Sequence, residues 1–413
     1  MRTTIAVPVG NIPNRSHTPH RRSTSSRRMP IWPLFVRHGS TRAKPGISWR
    51  SIRRDYPQTM CFASCMVRCC SIPTFPPAFQ RDAESYGSPR FGDSLQMGSP
   101  LFGCSRESDR MIGVYGADGF IGRHVIRRLA DGAEPVRAVS RTFDSELTRS
   151  LQEKIDFAEI DLREPLAVAS SLQDVGTVVQ LISTSSPGLR NEHVIADIEE
   201  NVIPQVEFLQ ACVQAGVKRI VFLSSGGTVY GPDAPVPTPE TSPTDPINSH
   251  GLTKLIVEKY IQMYGRINDL EYVILRVANA FGPGQSFSKG QGLIPAILSR
   301  CRRGLPVRVF GDGEAKRDYI YIDDVVDAIE AAIHLPGSPR EILNVGSGEV
   351  RSVLEVIEAI ETAIGRPIER ESIDARSTDV EIAGLDISEA KRVLGWSPKL
   401  GFEEGLRRIV NDE

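Results

Sequence analysis

Two sets of residues in this chain have the types and spacing to do chemistry. The first is Gly116, Gly119 and Gly122, in G-x-x-G-x-x-G spacing after an apolar run and before a helical one. Gly116 allows a tight turn. Gly119 lets backbone N–H groups approach a pyrophosphate at the positive end of a helix, and Gly122 lets that helix pack closely on its strand. A helix-capping turn is the plainer alternative. The apolar strand before and the amphipathic helix after favour dinucleotide binding. The second set is His250 and Lys254, at i and i+4 and so on one helix face. An imidazole, with an unperturbed pKa of about 6.5, can act as a base near neutral pH.

The residue ending the second strand of such a fold meets the adenosine ribose. An acid there binds the 2′-OH of NAD and repels the 2′-phosphate of NADP. Here no acid stands between Val136 and Thr142, and Ser140 and Arg141 occupy the position. Arg141 could pair with a 2′-phosphate; a solvated surface arginine is the alternative. The cofactor is therefore read as NAD or NADP, with a slight lean to NADP. Asp161, ending the third strand, could accept from the adenine amino group or cap the following turn.

Regular elements must position these groups. Met111 to Tyr115 reads as a strand, and Ile121, Val125, Ile126 and Leu129 as the buried stripe of the helix after it. Further strands are expected at Pro135–Ser140, Asp156–Leu162, Thr177–Ile182, Arg219–Leu223 and Tyr272–Val277. Helices are expected at Asp144–Lys154, along the stripe from Ile195 to Val213 with a kink or restart at Pro204, and from a cap at Asn248 or Ser249 to about Tyr264. This alternation predicts an α/β fold, a doubly wound parallel sheet of Rossmann type with ligands at the carboxyl ends of its strands. Beyond Asn279 the rhythm breaks. A helix at Leu293–Arg302, a short strand at Val307–Phe310, a strand-to-helix passage at Ile320–Ile333 and a helix at Val353–Ile364, opened by a Ser352–Glu355 capping box, read as a smaller C-terminal lobe. The expected division is an extension over 1–110, a cofactor domain over 111–278 and a second lobe mainly over 279–413.

Composition narrows the function classes. The 413 residues carry a net charge of −2, but residues 1–110 hold 17 basic against 6 acidic side chains and residues 111–413 hold 32 against 45. The acidic body is no nucleic-acid binder by charge, and it has no apolar run near the ~18–20 residues of a membrane span. Cys61, Cys65, Cys69, Cys70 and Cys104 precede the glycine turn, leaving Cys212 and Cys301 in the body. No disulfide framework holds the body, which fits a reducing, cytoplasmic compartment. Residues 1–110 are rich in Arg, Ser and Pro, lack any sustained period, and are expected to be disordered. They read as a solvated tail or a start upstream of the true one, as an organelle transit peptide, or as a metal site at Cys61, Cys65, Cys69 and Cys70. The last lacks the paired C-x2-C knuckles of zinc modules. Asp323, Asp324 and Asp327 open a helix, where acids favour the dipole, so no metal is expected there.

The remaining motifs come in a fixed order. After Ser224-Ser225-Gly226-Gly227-Thr228-Val229-Tyr230-Gly231 come His250-Gly251-Leu252-Thr253-Lys254, Arg276-Val277-Ala278-Asn279 and Gly311-Asp312-Gly313. Then follow Arg317-Asp318-Tyr319-Ile320-Tyr321-Ile322-Asp323-Asp324, Asn344-Val345-Gly346-Ser347-Gly348 and Leu394-Gly395-Trp396-Ser397-Pro398. This set resembles the extended short-chain dehydrogenases/reductases, in particular the NAD-dependent epimerase/dehydratase family typified by UDP-glucose 4-epimerase, over essentially all of 111–413. The resemblance implies a tightly held nicotinamide cofactor, a sugar-nucleotide lobe, a homodimer, and epimerisation of a nucleotide sugar, a UDP-sugar, at C4 by hydride abstraction and return. It carries cofactor contacts onto Gly116, Gly119, Phe120, Ile121, Gly122, Arg141, Asp161, Leu162 and Lys254. Sugar-nucleotide contacts fall on Thr228, Asn279, Leu293, Phe310 and Arg317, the last as a clamp on the diphosphate.

In that family a Ser or Thr after the fifth strand, a Tyr, and a Lys four residues after the Tyr carry the chemistry. Here Lys254 matches the Lys, the Tyr position is His250, and Gly226 takes the Ser/Thr position, leaving Ser225 and Thr228 as the nearest hydroxyls. Three accounts follow. His250 serves as base, directly or through water; the chemistry differs from the family's; or the protein binds cofactor and nucleotide sugar without turnover. Gly227 and Thr228 stand where 4,6-dehydratases carry an Asp-Glu pair, so the acid and base for water loss are missing. An NADP-dependent keto-sugar reductase remains open. Tyr230 reads as packing rather than catalysis. The role given to Arg141 predicts that the chain binds NADP more tightly than NAD, and that Arg141→Ala removes the difference. Equal or tighter NAD binding by the intact chain, measured as dissociation constants, removes that role.

Overall fold

The computed structural model describes residues 111–185, 194–286, 292–375 and 380–411. The expectations for 1–110, including its five cysteines, lie outside the described residues. The first strand, β1, spans Met111–Tyr115 and is followed by helix α1, Phe120–Leu129. Next come β2 (Val136–Ser140), α2 (Ser145–Leu151), β3 (Ile155–Glu159), α3 (Pro165–Ser171) and β4 (Val175–Gln180). Two helices, α4 (Val194–Asn201) and α5 (Ile203–Ala215), lead to β5 (Arg219–Ser225), α6 (Ser249–Ile267) and β6 (Glu271–Val277).

These six strands and a later one, β10 (Arg340–Val345), form a seven-stranded sheet in the order β10-β6-β5-β4-β1-β2-β3. Every pairing in it is parallel. Side chains alternate across such a sheet, so successive residues of these unbroken apolar runs enter two different cores. Ile112, Val114, Val221, Leu223, Val273 and Leu275 face a core shared with α1 and with α8 (Ile322–Ile333). Tyr115, Ile220, Phe222 and Ile274 face the opposite core, with Phe208 and Leu209 of α5 and Val257 and Ile261 of α6. Both faces are covered, as a Rossmann-type sheet requires.

Outside this sheet lie β7 (Asn279–Phe281), α7 (Leu293–Arg302), β8 (Val307–Phe310), β9 (Lys316–Tyr321), β11 (Val350–Ser352), α9 (Val353–Ile364), β12 (Arg370–Ile373), β13 (Ile382–Ala383), α10 (Ser388–Leu394) and α11 (Phe402–Asn411). One small sheet runs β11-β9-β13 with β7 also on β9, and β8 pairs with β12. The capping box of α9 is complete: Glu355 N–H donates to Ser352 Oγ at 3.2 Å, and Ser352 N–H donates to Glu355 Oε2 at 2.6 Å.

The boundaries differ from the sequence expectation in informative ways. The third strand ends at Glu159 rather than Leu162, because Ile160 N–H donates to Ser140 O at 2.7 Å and Asp161 then turns the chain by accepting Arg163 N–H at 3.0 Å. The chain after Asn279 does not stay outside the central sheet. It returns as β10 to pair with β6 from Arg340↔Tyr272 to Val345↔Val277. Pro204 restarts the helix: α4 stops at Asn201, and α5 carries the proline in its first turn, where the missing N–H costs no intrahelical bond.

The tightest constraint near β1 is at Gly122. A Cβ there would lie 2.2 Å from Gly116 O and 2.7 Å from Ala117 Cα, and both are backbone atoms. Gly122→Ala is therefore expected to destabilise the chain by roughly 1–3 kcal/mol as the helix is pushed off the strand. An unchanged urea midpoint at unchanged m-value would remove this close packing as a structural requirement.

Candidate functional site

The glycine turn sits at the carboxyl end of β1, at the centre of the sheet. Gly116 has φ +88°, a conformation that L side chains rarely adopt, and a Cβ there would stand 3.1 Å from both Ile182 N and Leu181 C beyond β4. Gly119 is the N-cap of α1 and brings no side-chain cap, and the first turn carries no acid. The opening N–H groups of the helix, including those of Phe120 and Ile121, are thus left without a side-chain partner. Asp118, the one carboxylate in the turn, pairs with Arg123 at 2.9 Å. A helix N-terminus with uncapped donors, a glycine cradle and a neutralised carboxylate fits a pyrophosphate. At the neighbouring edge, Arg141 is exposed just past β2. Asp161 is held to Arg163 at 2.6 Å, which pulls its carboxyl down to about 2. Leu162 beside it is buried.

The second half of the site is carried by α6. Asn248 caps this helix, its side chain accepting Gly251 N–H at 2.8 Å. Gly251 allows a close approach to the loop after β5, since a Cβ there would lie 2.4 Å from Thr228 O. Three side chains then follow at four-residue spacing down one face. His250 Nδ1 pairs with Ser185 Oγ at 2.8 Å, beyond the end of β4. Lys254 Nζ donates to Leu223 O of β5 at 2.7 Å and stands 4.8 Å from the Phe222 ring centroid. Glu258, fully buried, receives Arg276 Nη2 at 2.7 Å and Arg276 Nε at 3.1 Å from β6, and also the Ser224 hydroxyl.

Burial sets the charges of this stripe. Desolvation, then the Lys254 charge, lowers His250 to about 3, so the imidazole is neutral across the physiological range. Desolvation lowers Lys254 to about 8, against the pull of Glu258. Thr228 Oγ1, on the loop packed against Gly251, is buried without a hydrogen-bond partner. Such a group is rare in a folded protein. Ser225 is the last residue of β5 rather than a loop residue, and its carbonyl accepts from Val229 N–H at 3.3 Å.

The sequence-derived set falls into two groups. His250 and Lys254 share α6, with Lys254 reaching Leu223 of β5 and Gly251 between them packed on the Thr228 backbone; Ser225 ends β5, three residues before Thr228. Asn279 and Arg317 lie on the paired strands β7 and β9, with Asn279 Nδ2 donating to Asp318 O at 2.9 Å and Arg317 Nη1 to Lys316 O at 2.8 Å. Leu293 opens α7 and Phe310 ends β8; these two elements pack on each other, whereas α6 packs on α4, α5, β5 and β6. Tyr230 is buried, with its hydroxyl donating to Asn344 Oδ1 at 2.6 Å and Arg276 stacked over its ring, so it is a packing residue. Asp324 accepts Lys399 N–H and Leu400 N–H, and Asp327 binds Arg128 and Lys399. Among the described residues, no group of three or more His, Cys, Asp or Glu side chains could hold a metal ion.

Sequence reasoning did not single out Ser185 or the Ser224–Glu258–Arg276 cluster. The available signal was the Ser-Thr-rich stretch directly after the fourth strand, at the sheet end where ligands bind, and a glutamate four residues past Lys254.

Comparison with known proteins agrees with this geometry. Residues 112–346 match the NAD dependent epimerase/dehydratase family. A putative UDP-glucose 4-epimerase of Methanocaldococcus jannaschii is 31% identical over 302 residues, covering 73% of this chain and 97% of that protein. Among solved structures, the Thermotoga maritima UDP-glucose 4-epimerase with UDP-glucose is 33% identical at a TM-score of 0.68, covering 73% of this chain and 97% of that one. The Thermus thermophilus UDP-glucose 4-epimerase in complex with NAD is 31% identical at a TM-score of 0.66, covering 73% and 98%. With its sheet order, its glycine cradle and a match over more than half its length, the chain belongs to the NAD-dependent epimerase/dehydratase family.

Proposed function

We propose that this chain epimerises a nucleotide sugar at C4, a UDP-sugar of the UDP-glucose type, using NAD or NADP at the glycine turn. The observation that carries the reading is a neutral His250 and a buried Lys254 on one face of α6, with Gly251 between them packed on the backbone of Thr228, whose hydroxyl is unsatisfied. In this reading residues 111–278 hold the cofactor and 279–413 mainly hold the sugar nucleotide.

A bound nicotinamide supplies reversible hydride acceptance, so the sugar is oxidised and reduced again with no net redox change. The protein supplies the rest. His250 Nε2 takes the proton of the sugar hydroxyl, a transfer that needs roughly 2.6–3.2 Å or one bridging water. Lys254, fixed to Leu223 O, keeps further ammonium protons for the nicotinamide ribose. Thr228 and Ser225 supply hydroxyls to the sugar. Arg317 and Asn279 bind the diphosphate, and Leu293 and Phe310 contact the nucleotide. The first turn of α1 and Gly119 hold the pyrophosphate, with Leu162 and Asp161 on the adenine side and Arg141 at the ribose.

The assembly we assign is a homodimer. Its support is the exposed apolar stripe on two touching helices: Ile195 and Ile198 of α4, and Leu252, Tyr260, Met263 and Ile267 of α6. A cytoplasmic setting is supported by the two unpaired thiols, Cys212 and Cys301. No helix among the described residues is long and apolar enough to cross a membrane. A rival reading, non-catalytic binding of cofactor and nucleotide sugar, is favoured by one observation. An imidazole lowered to about 3 is a weak proton acceptor.

Incubation of the chain with UDP-glucose is expected to give the 4-epimer, and His250→Ala is expected to reduce kcat by about 10²–10⁴-fold, the usual worth of an acid–base group. No epimer from the intact chain, and none gained on His250→Tyr, would move the weight to the binding reading. The pH profile of kcat/KM carries a second expectation. The folded His250 is already neutral, so activity should show no rising limb through the ordinary imidazole pKa of about 6.5. Lys254 is charged below about 8 and neutral above it, so kcat/KM should decline as pH rises through that value. A rising limb near 6.5 that vanishes in His250→Gln would overturn the assignment of a neutral imidazole.

A further inference from the structure

The hydrogen bond on the back of His250 leads somewhere. Its Nδ1 meets Ser185 Oγ at 2.8 Å, and Ser185 Oγ meets Ser183 Oγ at 3.3 Å. Ser185 is 3% exposed, whereas Ser183 lies at the surface. Among the described residues the ring's hydrogen-bond partner is Ser185, through its hydroxyl and also its backbone, and Nε2 is the nitrogen we assign to the substrate. The loop carrying both serines is fixed: Asn201 Oδ1, at the end of α4, accepts Thr184 N–H at 2.8 Å and Ser185 N–H at 3.4 Å, and Thr184 Oγ1 donates to Glu200 at 3.0 Å. A half-buried histidine is thus joined to solvent by two hydroxyls, each of which can donate and accept.

We propose that Ser185 is the second carrier of a proton relay that runs from the sugar hydroxyl through His250 and Ser185 to Ser183 and water. This rests on the epimerase reading and adds a residue to it. As the substrate O–H bond breaks, an Nε2–H bond forms. The Nδ1–H bond breaks, and its proton joins Ser185 Oγ. The former Ser185 hydroxyl proton passes to Ser183 and then to water. A nicotinamide held at the glycine turn would accept the hydride, with its electron pair, from the sugar carbon, and the return stroke would reverse each transfer. The ring takes a proton on one nitrogen and releases one from the other, so it need not accumulate charge beside Lys254. That answers the difficulty that burial and the Lys254 ammonium create for an imidazolium. It also requires one tautomer at rest, with the proton on Nδ1 donating to Ser185 and Nε2 bare.

The test uses the full chain. Long-range ¹H–¹⁵N NMR of [¹⁵N]histidine-labelled protein, with His250 assigned by loss of its signals in His250→Gln, should show a neutral ring protonated on Nδ1 at pH 7. A ring protonated on Nε2, or charged, overturns the relay whatever the activity. With UDP-glucose, Ser185→Ala should lower kcat by about 100-fold with KM little changed, and Ser185→Thr should recover most of the loss. A solvent-deuterium proton inventory should be curved in the intact chain and linear in Ser185→Ala. Ser185→Ala with kcat within threefold of the intact chain also overturns the relay. An intact chain with no turnover sinks the epimerase reading instead, and the tautomer then decides the hydrogen-bonded path on its own.

Discussion

The buried pair of Glu258 and Arg276 locks α6 onto the sheet, and the site depends on that lock. Glu258 is fully buried and Arg276 nearly so. The guanidinium binds the carboxylate through two nitrogens, with the Ser224 hydroxyl on the same carboxylate. Tyr230 stacks on the other side of Arg276 and is itself fixed to Asn344, which also donates to Thr238 O and Asp386 O. One charge pair therefore ties α6 to β5, β6, the end of β10 and the segment before α10. Removing one partner of such a pair typically costs about 3–5 kcal/mol, because the other charge is stranded in a dry interior. What it secures is orientation. Residues 250, 254 and 258 share one helix face, so fixing Glu258 fixes the azimuth at which Lys254 and His250 meet the end of the sheet.

The same lock shapes the electrostatics above it. Arg276 already compensates Glu258, and only part of the carboxylate's field reaches Lys254, one helical turn away. Burial then outweighs that attraction, and the ammonium falls to about 8. The remaining positive charge, together with desolvation, keeps the imidazole one turn further along neutral. A gradient runs along a single helix face, from a compensated anion through a loosely held cation to a neutral ring. Gly251 is what allows this face to sit so close, since any Cβ there would collide with Thr228 O.

Much of this was legible in the sequence because it is local. The glycine triplet announces a strand, a turn and a helix within twenty-odd residues, and continuous apolar runs mark strands that are buried on both faces. Helix α7 runs over Leu293–Arg302 as the pattern indicates, and Ser352 and Glu355 cap α9 because their spacing admits nothing else so compact. What was not legible is the pairing of distant segments. Strand β10 carries no sign that it joins β6 rather than the small sheets around it; that choice is made by the packing of α8 and α10. Ser185 was equally hidden. It is one hydroxyl in a run of them, and its partner lies 65 positions away. Spacing places His250 and Lys254 on one face but says nothing about what stands behind the ring.

What stands behind the ring bears on why a histidine can occupy this position at all. A phenol has one polar atom, and whatever proton it takes it must hold on that atom. An imidazole is shorter, and burial beside an ammonium makes it a poor store of charge. It has, however, a second nitrogen on the far side. That nitrogen is useful only when a donor–acceptor group meets it, and here Ser185 does so from a loop pinned by Asn201. The exchange of tyrosine for histidine and the hydroxyl behind Nδ1 therefore make sense together. With an alanine at 185 no hydroxyl would stand at Nδ1 to take its proton, and the ring would have to hold a positive charge near the Lys254 ammonium, against the desolvation and the field that keep it neutral.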